Sequence, residues 1–180
     1  MQQPRVHRTV GFVTAIALAG AITLAASQIA SASRARTATV PACTTSGLVI
    51  WINTMGNGAA GSIYFTLEFT NLSGHTCTLS GYPGVSAVDL SGHQLGSPGR
   101  RDNFSPAHTV TLAASGAHQT ATATLRIVEA GNFPSSACGM TTAAGIRVYP
   151  PNQRASKIVP FPFGACSHTG PTILAVRVVH

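Results

Sequence analysis

Two segments of the chain alternate apolar and polar residues with a period of two. In residues 62–70 the apolar members are Ile63, Phe65, Leu67 and Phe69. In residues 119–127 they are Ala121, Ala123, Leu125 and Ile127, and three threonines lie on the other face. A helix would scatter each set around its surface, whereas a strand places the whole set on one face. Both segments are therefore predicted to be half-buried β-strands.

Shorter apolar runs predict further strands. Residues 48–52 and 173–179 are rich in β-branched side chains and predict more deeply buried strands, the second with an outward-facing Arg177. Residues 146–149 predict a strand that ends at Pro150, because proline donates no hydrogen bond to a β-ladder.

A hairpin and frequent turns complete the pattern. Residues 85–90 and 93–95 flank Ser91-Gly92, and glycine supplies the positive φ of a tight hairpin turn. After the N-terminal segment, apolar residues do not recur at helical spacing, so we expect almost no helix. About seven to nine short strands predict an all-β, antiparallel, immunoglobulin-like β-sandwich, and a small barrel is the alternative.

The N-terminal residues predict export from the cytosol. Arg5 and Arg8 precede an uncharged, mostly apolar run at residues 10–26, and Ala30-Ser31-Ala32 follows. This order of features is typical of a secretory signal peptide, and the alternative is an uncleaved segment that would be the link to a membrane. The predicted organisation is a helical signal peptide at residues 1–32, a flexible stub at 33–41 and a β-sandwich domain at 42–180.

The cysteines predict two structural disulfides. An even number of cysteines in an exported chain indicates disulfide bonds, and the four here are Cys43, Cys77, Cys138 and Cys166. Four cysteines allow three pairings. We favour Cys43 with Cys77 and Cys138 with Cys166, because each pair brackets one half of the domain. A zinc site would need closely spaced cysteine or histidine ligands, so no metal is expected.

Charge argues against a nucleic-acid partner. The chain has a formal net charge of +7 at pH 7, but from position 41 onward basic residues number seven and acidic residues four. Arg100-Arg101 is the one basic doublet in that part of the sequence. Such dilute charge does not form the clustered basic face that binds nucleic acid.

The sequence does not predict catalysis. It contains no Gly-x-Ser-x-Gly run, no phosphate-binding loop with lysine and no close histidine pair. Convergence of His75, His93 and His108 at one end of the sandwich is a less favoured alternative to solvated loop histidines. We therefore expect no enzymatic activity, no catalytic residue, no cofactor and no metal.

Aromatic residues beside turn residues mark candidate recognition loops. Arg100, Arg101 and Phe104, within the polar segment 100–106, are the candidate binding-loop residues, and Phe104 is the favoured exposed anchor. Other aromatic residues in such positions are expected to cap the core, namely Tyr82, Phe161 and Phe163.

A longer motif carries a family resemblance. The run from Asn71 to Pro83 has the form Asn-x-Ser-Gly-x-x-Cys-x-Leu-x-Gly-Tyr-Pro, and residues 112–116 and 148–151 follow it. In these features the chain resembles the secreted actinobacterial domain-of-unknown-function family 4232, over about residues 41–179. The resemblance implies an exported β-sandwich with Cys77 and Cys166 in structural disulfides, and it implies no agreed activity.

Together these features predict a monomeric, secreted or cell-envelope β-sandwich that serves as a non-catalytic binding or structural module. Its partner would be an extracellular or envelope ligand. One alternative is an extracellular enzyme inhibitor, for example of a protease, that presents residues 99–106 as a rigid loop. A second alternative is a hydrolase whose site is assembled from distant residues.

Overall fold

The computed structural model describes residues 39–180, so the expected signal peptide and most of the stub lie outside the described residues. In this part of the chain no helix has the length and apolar character needed to cross a membrane. The helical elements described are a 3₁₀ turn at Ala130–Asn132 and a one-turn helix, α1, at Ser135–Cys138. Within residues 39–180 there are eleven strands: β1 (Leu48–Ala59), β2 (Ser62–Asn71), β3 (Cys77–Ser80), β4 (Gly84–Val88), β5 (Gln94–Leu95), β6 (Arg100–Arg101), β7 (Thr109–Leu112), β8 (Thr120–Val128), β9 (Met140–Tyr149), β10 (Lys157–Cys166) and β11 (Leu174–Val176).

The strands form two main sheets and one small one. The first sheet has the order β1-β2-β8-β11-β6, the second has the order β10-β9-β4-β5, and β3 pairs with β7. All of these ladders are antiparallel except that between β6 and β11, which is parallel. The all-β sandwich predicted from the sequence is therefore confirmed.

The alternating segments form the centre of the core. In β2, Leu67 and Phe69 are fully buried, and Leu125 in β8 lies beside them opposite Phe65. The second sheet contributes further buried apolar residues from β4 and β9, including Val85, Ala87, Ile146 and Val148. Burial of one face of each strand is what the period of two predicts, and apolar burial is the main favourable contribution to folding.

Strand β10 was not predicted from the sequence. Phe161 and Phe163 were expected beside turns, but they lie within a ten-residue strand and pack against the core, as expected of core-capping residues. Pro160 and Pro162 are tolerated because β10 is an edge strand that pairs with β9 alone, and its register shifts between Pro160 and Phe163. Edge strands and bulges are the positions where a missing N–H leaves no ladder partner unsatisfied.

Other strand boundaries also differ from the predicted ones. Strand β1 runs seven residues beyond Ile52, through a register shift between Asn53 and Asn57, to pair with the start of β2. The predicted strand at 173–179 contains only three ladder residues, Leu174–Val176. The predicted hairpin is present as β4 and β5, with Gly92 at positive φ in its turn.

Both disulfides are present in the favoured pairing. Cys43 is bonded to Cys77, which joins the segment before β1 to the start of β3. Cys138 is bonded to Cys166, which joins α1 to the end of β10. All four cysteines are buried, so each bond also forms part of the core.

Candidate functional site

The three candidate binding-loop residues lie at one edge of the five-stranded sheet. Arg100 and Arg101 constitute β6, which pairs with Ala175 and Val176 of β11, and both arginine side chains are exposed. Phe104 follows three residues later and is 70% exposed. The segment 100–104 therefore consists of an edge strand, β6, and the three residues that follow it.

Side-chain contacts hold this segment in place. Nε of Arg177 donates to Oδ2 of Asp102 at 3.2 Å, and the same guanidinium lies 4.0 Å from the ring centroid of Phe104. The Tyr82 hydroxyl donates to the carbonyl of Ser105 at 3.1 Å. Phe104 is thus exposed on one side and covered by a cation on the other, an arrangement that fixes its ring.

A concave polar surface lies beside this segment, and we call it the tyrosine groove. Its volume is about 560 Å³, within the range of about 300–1,000 Å³ that is usual for ligand pockets. The groove is lined by Ser80, Gly81, Tyr82, Gly84, Arg101, Ala107, Tyr149, Pro150, Asn152 and Gln153.

Strand register brings the two tyrosines to the same groove. Gly84, the first residue of β4, pairs with Tyr149, the last residue of β9, and Tyr82 precedes Gly84 by two residues. Gly81 has a φ of 104°, which favours glycine, and its carbonyl accepts a hydrogen bond from the N–H of Val179. The Gly-Tyr-Pro end of the longer motif therefore forms one wall of the groove.

Arg101 is the one charged residue that lines the groove. Its guanidinium carbon lies 5.6 Å from the ring centroid of Tyr82. The neighbouring carboxylate, Asp102, is paired with Arg177. The ion pairs within residues 39–180 do not include Arg101, so the groove carries an unneutralised positive charge.

The start of the same motif has a structural role. The Asn71 side chain is fully buried, and its amide nitrogen donates to the carbonyls of His75 at 2.8 Å and Ala113 at 2.9 Å. Its oxygen accepts from the N–H and the hydroxyl of Ser73, at 3.0 and 2.6 Å. These bonds satisfy the amide and fix the loop that leads to Cys77.

Asp89 and His93 are in contact in the turn of the β4–β5 hairpin. Asp89 accepts hydrogen bonds from the N–H groups of His93 and Ser91, at 2.8 and 2.9 Å, and its second oxygen lies 3.3 Å from Nδ1 of His93. The His93 N–H bond is the main reason that the pKa of Asp89 is below its ordinary value. In this turn Ser91 contributes its backbone N–H, so the three residues do not form the hydroxyl–imidazole–carboxylate chain of a serine hydrolase.

The histidines lie on the surface and do not form a metal-binding cluster within the described residues. The six that lie within residues 39–180 are all exposed: His75, His93, His108, His118, His168 and His180. Among the same residues, no group of three or more histidine, cysteine, aspartate or glutamate side chains could hold a metal ion.

Sequence reasoning identified one side of the groove and missed the other. Arg101 was a candidate, and Tyr82 was expected to cap the core but is half-buried in the groove. Tyr149, Asn152 and Gln153 were not candidates, although residues 148–151 belong to the family resemblance. Their position depends on the pairing of β4 with β9, which residue spacing alone does not reveal.

Two smaller concave surfaces are also present. One, of about 340 Å³, is lined by Phe104, Ser105, His108, Thr124, Arg177, Val178 and His180. The other, of about 250 Å³, is mainly apolar and lies between β2 and β10, beside the edge-to-face pair of Phe65 and Phe161. Neither is lined by an arginine or lysine outside the described ion pairs together with aromatic rings, so the tyrosine groove is the stronger candidate site.

The fold and site define a disulfide-bonded all-β module with a polar, aromatic groove at the start of β4. The model of a family described as a domain of unknown function, DUF4232, matches residues 43–178. The chain belongs to this family. No curated protein and no solved structure was found to match it.

Proposed function

We propose that this chain is a secreted or cell-envelope binding module that has no catalytic activity and takes its ligand in the tyrosine groove. The observation that carries the proposal is the convergence of Tyr82, Tyr149 and Arg101 on one concave surface. Two disulfides and the signal-like N-terminal residues support an extracellular or envelope location, because disulfides persist in oxidising compartments.

The composition of the groove suits recognition. Tyrosine presents a flat apolar ring together with a hydroxyl group, so one side chain can both stack on a ligand and form a hydrogen bond with it. Backbone hydrogen bonding holds two walls of the groove in place, through the pairing of Gly84 with Tyr149 and the bond from Val179 N–H to the Gly81 carbonyl. Groups that are already held in place lose less entropy on binding.

The proposal is tested by sedimentation of the full chain, with disulfides intact, on purified bacterial cell-envelope fragments. We expect Tyr149→Ala to lower the bound fraction by about tenfold at a subsaturating concentration, as the loss of an aromatic anchor does in other interfaces. Tyr64→Ala is the matched control, because Tyr64 lies in β2 and does not line the groove.

Thermal unfolding of each variant checks that the fold is retained. Equal loss of binding in the two tyrosine variants, or no binding by the wild-type chain, would contradict a groove-centred function. If only Tyr149→Ala loses binding and both variants unfold cooperatively, the proposal is supported.

A second candidate function is inhibition of an extracellular protease by residues 99–106. The observation that favours it is that Arg177 contacts both Asp102 and the exposed Phe104, three residues after the exposed Arg101. A rigid, exposed loop loses little entropy on binding. Trypsin-like and chymotrypsin-like proteases should then be inhibited by the full chain, and Phe104→Ala should abolish inhibition of the second class. Rapid cleavage within the segment would exclude this candidate.

A further inference from the structure

We infer that the ligand of the tyrosine groove is an acidic saccharide, that is, a sugar ring that bears a carboxylate or a phosphate. This inference rests on the proposed function and specifies its substrate class. It is carried by three features of the groove: one guanidinium outside the described ion pairs, two aromatic rings and two side-chain amides.

The guanidinium selects an anion. Arg101 is exposed, lines the groove and is not part of any ion pair described in residues 39–180. The Asp102 carboxylate is bonded to Arg177 and does not line the groove. Because guanidinium matches carboxylate and phosphate oxygens with two parallel hydrogen bonds, these are the groups that the free cation fits best. Its position near the Tyr82 ring limits its freedom before the ligand arrives.

The remaining lining groups suit a polyhydroxylated ring. Tyr82 and Tyr149 present aromatic rings, which stack on the C–H faces of a sugar. Asn152 donates to the carbonyl of Ser80 at 3.0 Å, which leaves its amide oxygen to accept a hydrogen bond. The Gln153 amide also lines the groove. Amides both donate and accept, as sugar hydroxyls require.

Gly84 keeps space open beside Tyr149. A Cβ atom at Gly84 would lie 3.4 Å from Cβ of Tyr149, which is an ordinary van der Waals contact. The fold therefore accommodates alanine at this position, and the added methyl group would occupy the groove. Replacement of a strand glycine by alanine also reduces the entropy of the unfolded chain, so the variant is expected to be at least as stable as the wild type.

The experiment is calorimetric titration of the full, disulfide-intact chain with trigalacturonate, glucose 6-phosphate and neutral maltotriose. We expect the two acidic probes to bind at least about tenfold more tightly than maltotriose, because a hydrogen bond to a charged group contributes about 1.5–3 kcal/mol. The relative affinities of the first two probes distinguish carboxylate from phosphate as the recognised anion.

Four variants locate the interaction. Arg101→Ala should weaken binding of the acidic probes about tenfold, and Arg101→Lys should weaken it less. Arg100→Ala is the matched control: it removes the same charge from the same strand, outside the groove lining, and should change affinity less than about twofold. Gly84→Ala should weaken binding while its melting temperature stays equal to that of the wild type or rises.

The outcomes separate this inference from the proposed function. Equal affinity for acidic and neutral probes, or equal losses in Arg100→Ala and Arg101→Ala, overturns the acidic-saccharide inference. If no probe binds, the inference is also overturned, whereas groove-dependent sedimentation on envelope fragments would still support the proposed function. Acid-selective binding that is lost in Arg101→Ala and Gly84→Ala, but not in Arg100→Ala, supports both.

Discussion

Asn71 shows how one side chain can stabilise a loop that contains no regular structure. Its buried amide contacts the backbone at His75, within the loop, and at Ala113, just after β7, and it also binds Ser73. The residue begins the motif on which the family resemblance rests, but its contacts are internal. Its presence in the motif is explained by folding, whereas Tyr82 at the other end of the motif reaches the groove.

We predict that Asn71→Ala lowers the free energy of unfolding by about 2–3 kcal/mol, because it leaves buried backbone groups without partners. Urea denaturation followed by tryptophan fluorescence measures the change. Asn103→Ala is the control: Asn103 is exposed, and its replacement should alter stability by less than about 0.5 kcal/mol. A similar small change in both variants would show that the Asn71 hydrogen bonds add nothing to net stability.

Asp89 makes the β4–β5 hairpin sensitive to acid. The N–H of His93 holds the pKa of this carboxyl below its ordinary value. A carboxyl with a depressed folded-state pKa stabilises the fold above its unfolded pKa, about 3.9, and this stabilisation is lost as the pH falls through the folded-state pKa. Asp89→Asn should therefore be less stable than the wild type at neutral pH, and the difference should shrink as the pH falls below the unfolded pKa of about 3.9 and through the lower folded-state pKa.

Carbon-detected NMR titration of the Asp89 carboxyl provides the direct measurement, with a midpoint below about 3.9 as the expected result. A midpoint for Asp89 at or above the ordinary value would refute this account of the turn.

At the scale of the elements, hydrophobic periodicity determined how well each strand was anticipated. Strands β2 and β8 were predicted nearly to their ends, because one face of each is buried and the other is polar. Strand β10 was missed because Pro160 and Pro162 suggested a turn, and only its edge position makes them compatible with a ladder. The short strands β3 and β7 have too few residues for a periodic pattern to be recognised.

The groove was harder to anticipate than the strands. It is formed where the segment before β4 meets the end of β9, and these segments are distant in sequence. A residue such as Gln153 carries no local signal of this proximity. Arg101 could be proposed because a charged doublet beside an aromatic residue is unusual in a chain with so few charges.

The β9–β10 ladder contains a position that requires glycine for steric reasons. A Cβ atom at Gly145 would collide with the backbone carbonyl of Val159. Gly145→Ala should thus lower stability by about 1–3 kcal/mol, as overpacking in a core does. The control is Gly164→Ala in the partner strand, where the nearest atom to a new Cβ is Cβ of Ala130 at 3.9 Å. Chemical denaturation of the two variants should show a loss for the first and little change for the second.

At the scale of the whole molecule, the two disulfides each close a separate loop. The sequence separations are 34 residues for Cys43–Cys77 and 28 for Cys138–Cys166. In the chain-entropy model, loops of this size stabilise the fold by roughly 3.5–4 kcal/mol per bond. The two loops do not overlap in sequence, so their contributions should be close to additive.

We predict that Cys43→Ala/Cys77→Ala and Cys138→Ala/Cys166→Ala each lower the free energy of unfolding by about 3–4 kcal/mol. Removal of all four cysteines should unfold the domain near physiological temperature, since typical net stability is about 5–15 kcal/mol. Differential scanning calorimetry of the three variants measures these effects. Wild-type-like melting of the variant without cysteines would mean that the apolar core alone is sufficient.

Strand β11 lies between two strands that precede it in the sequence, and this position constrains the order in which the five-stranded sheet can form. Leu174–Val176 lies between β8 and β6, so the five-stranded sheet is incomplete until residues 174–176 are available, long after β8 in chain order. Before then, β8 has an open backbone edge and β6 has no partner in the sheet, and open edges are templates for self-association. If the protein crosses a membrane as an extended chain, the state with the open β8 edge forms only after translocation. Chaperones outside the cytosol would then be the ones that protect it from self-association.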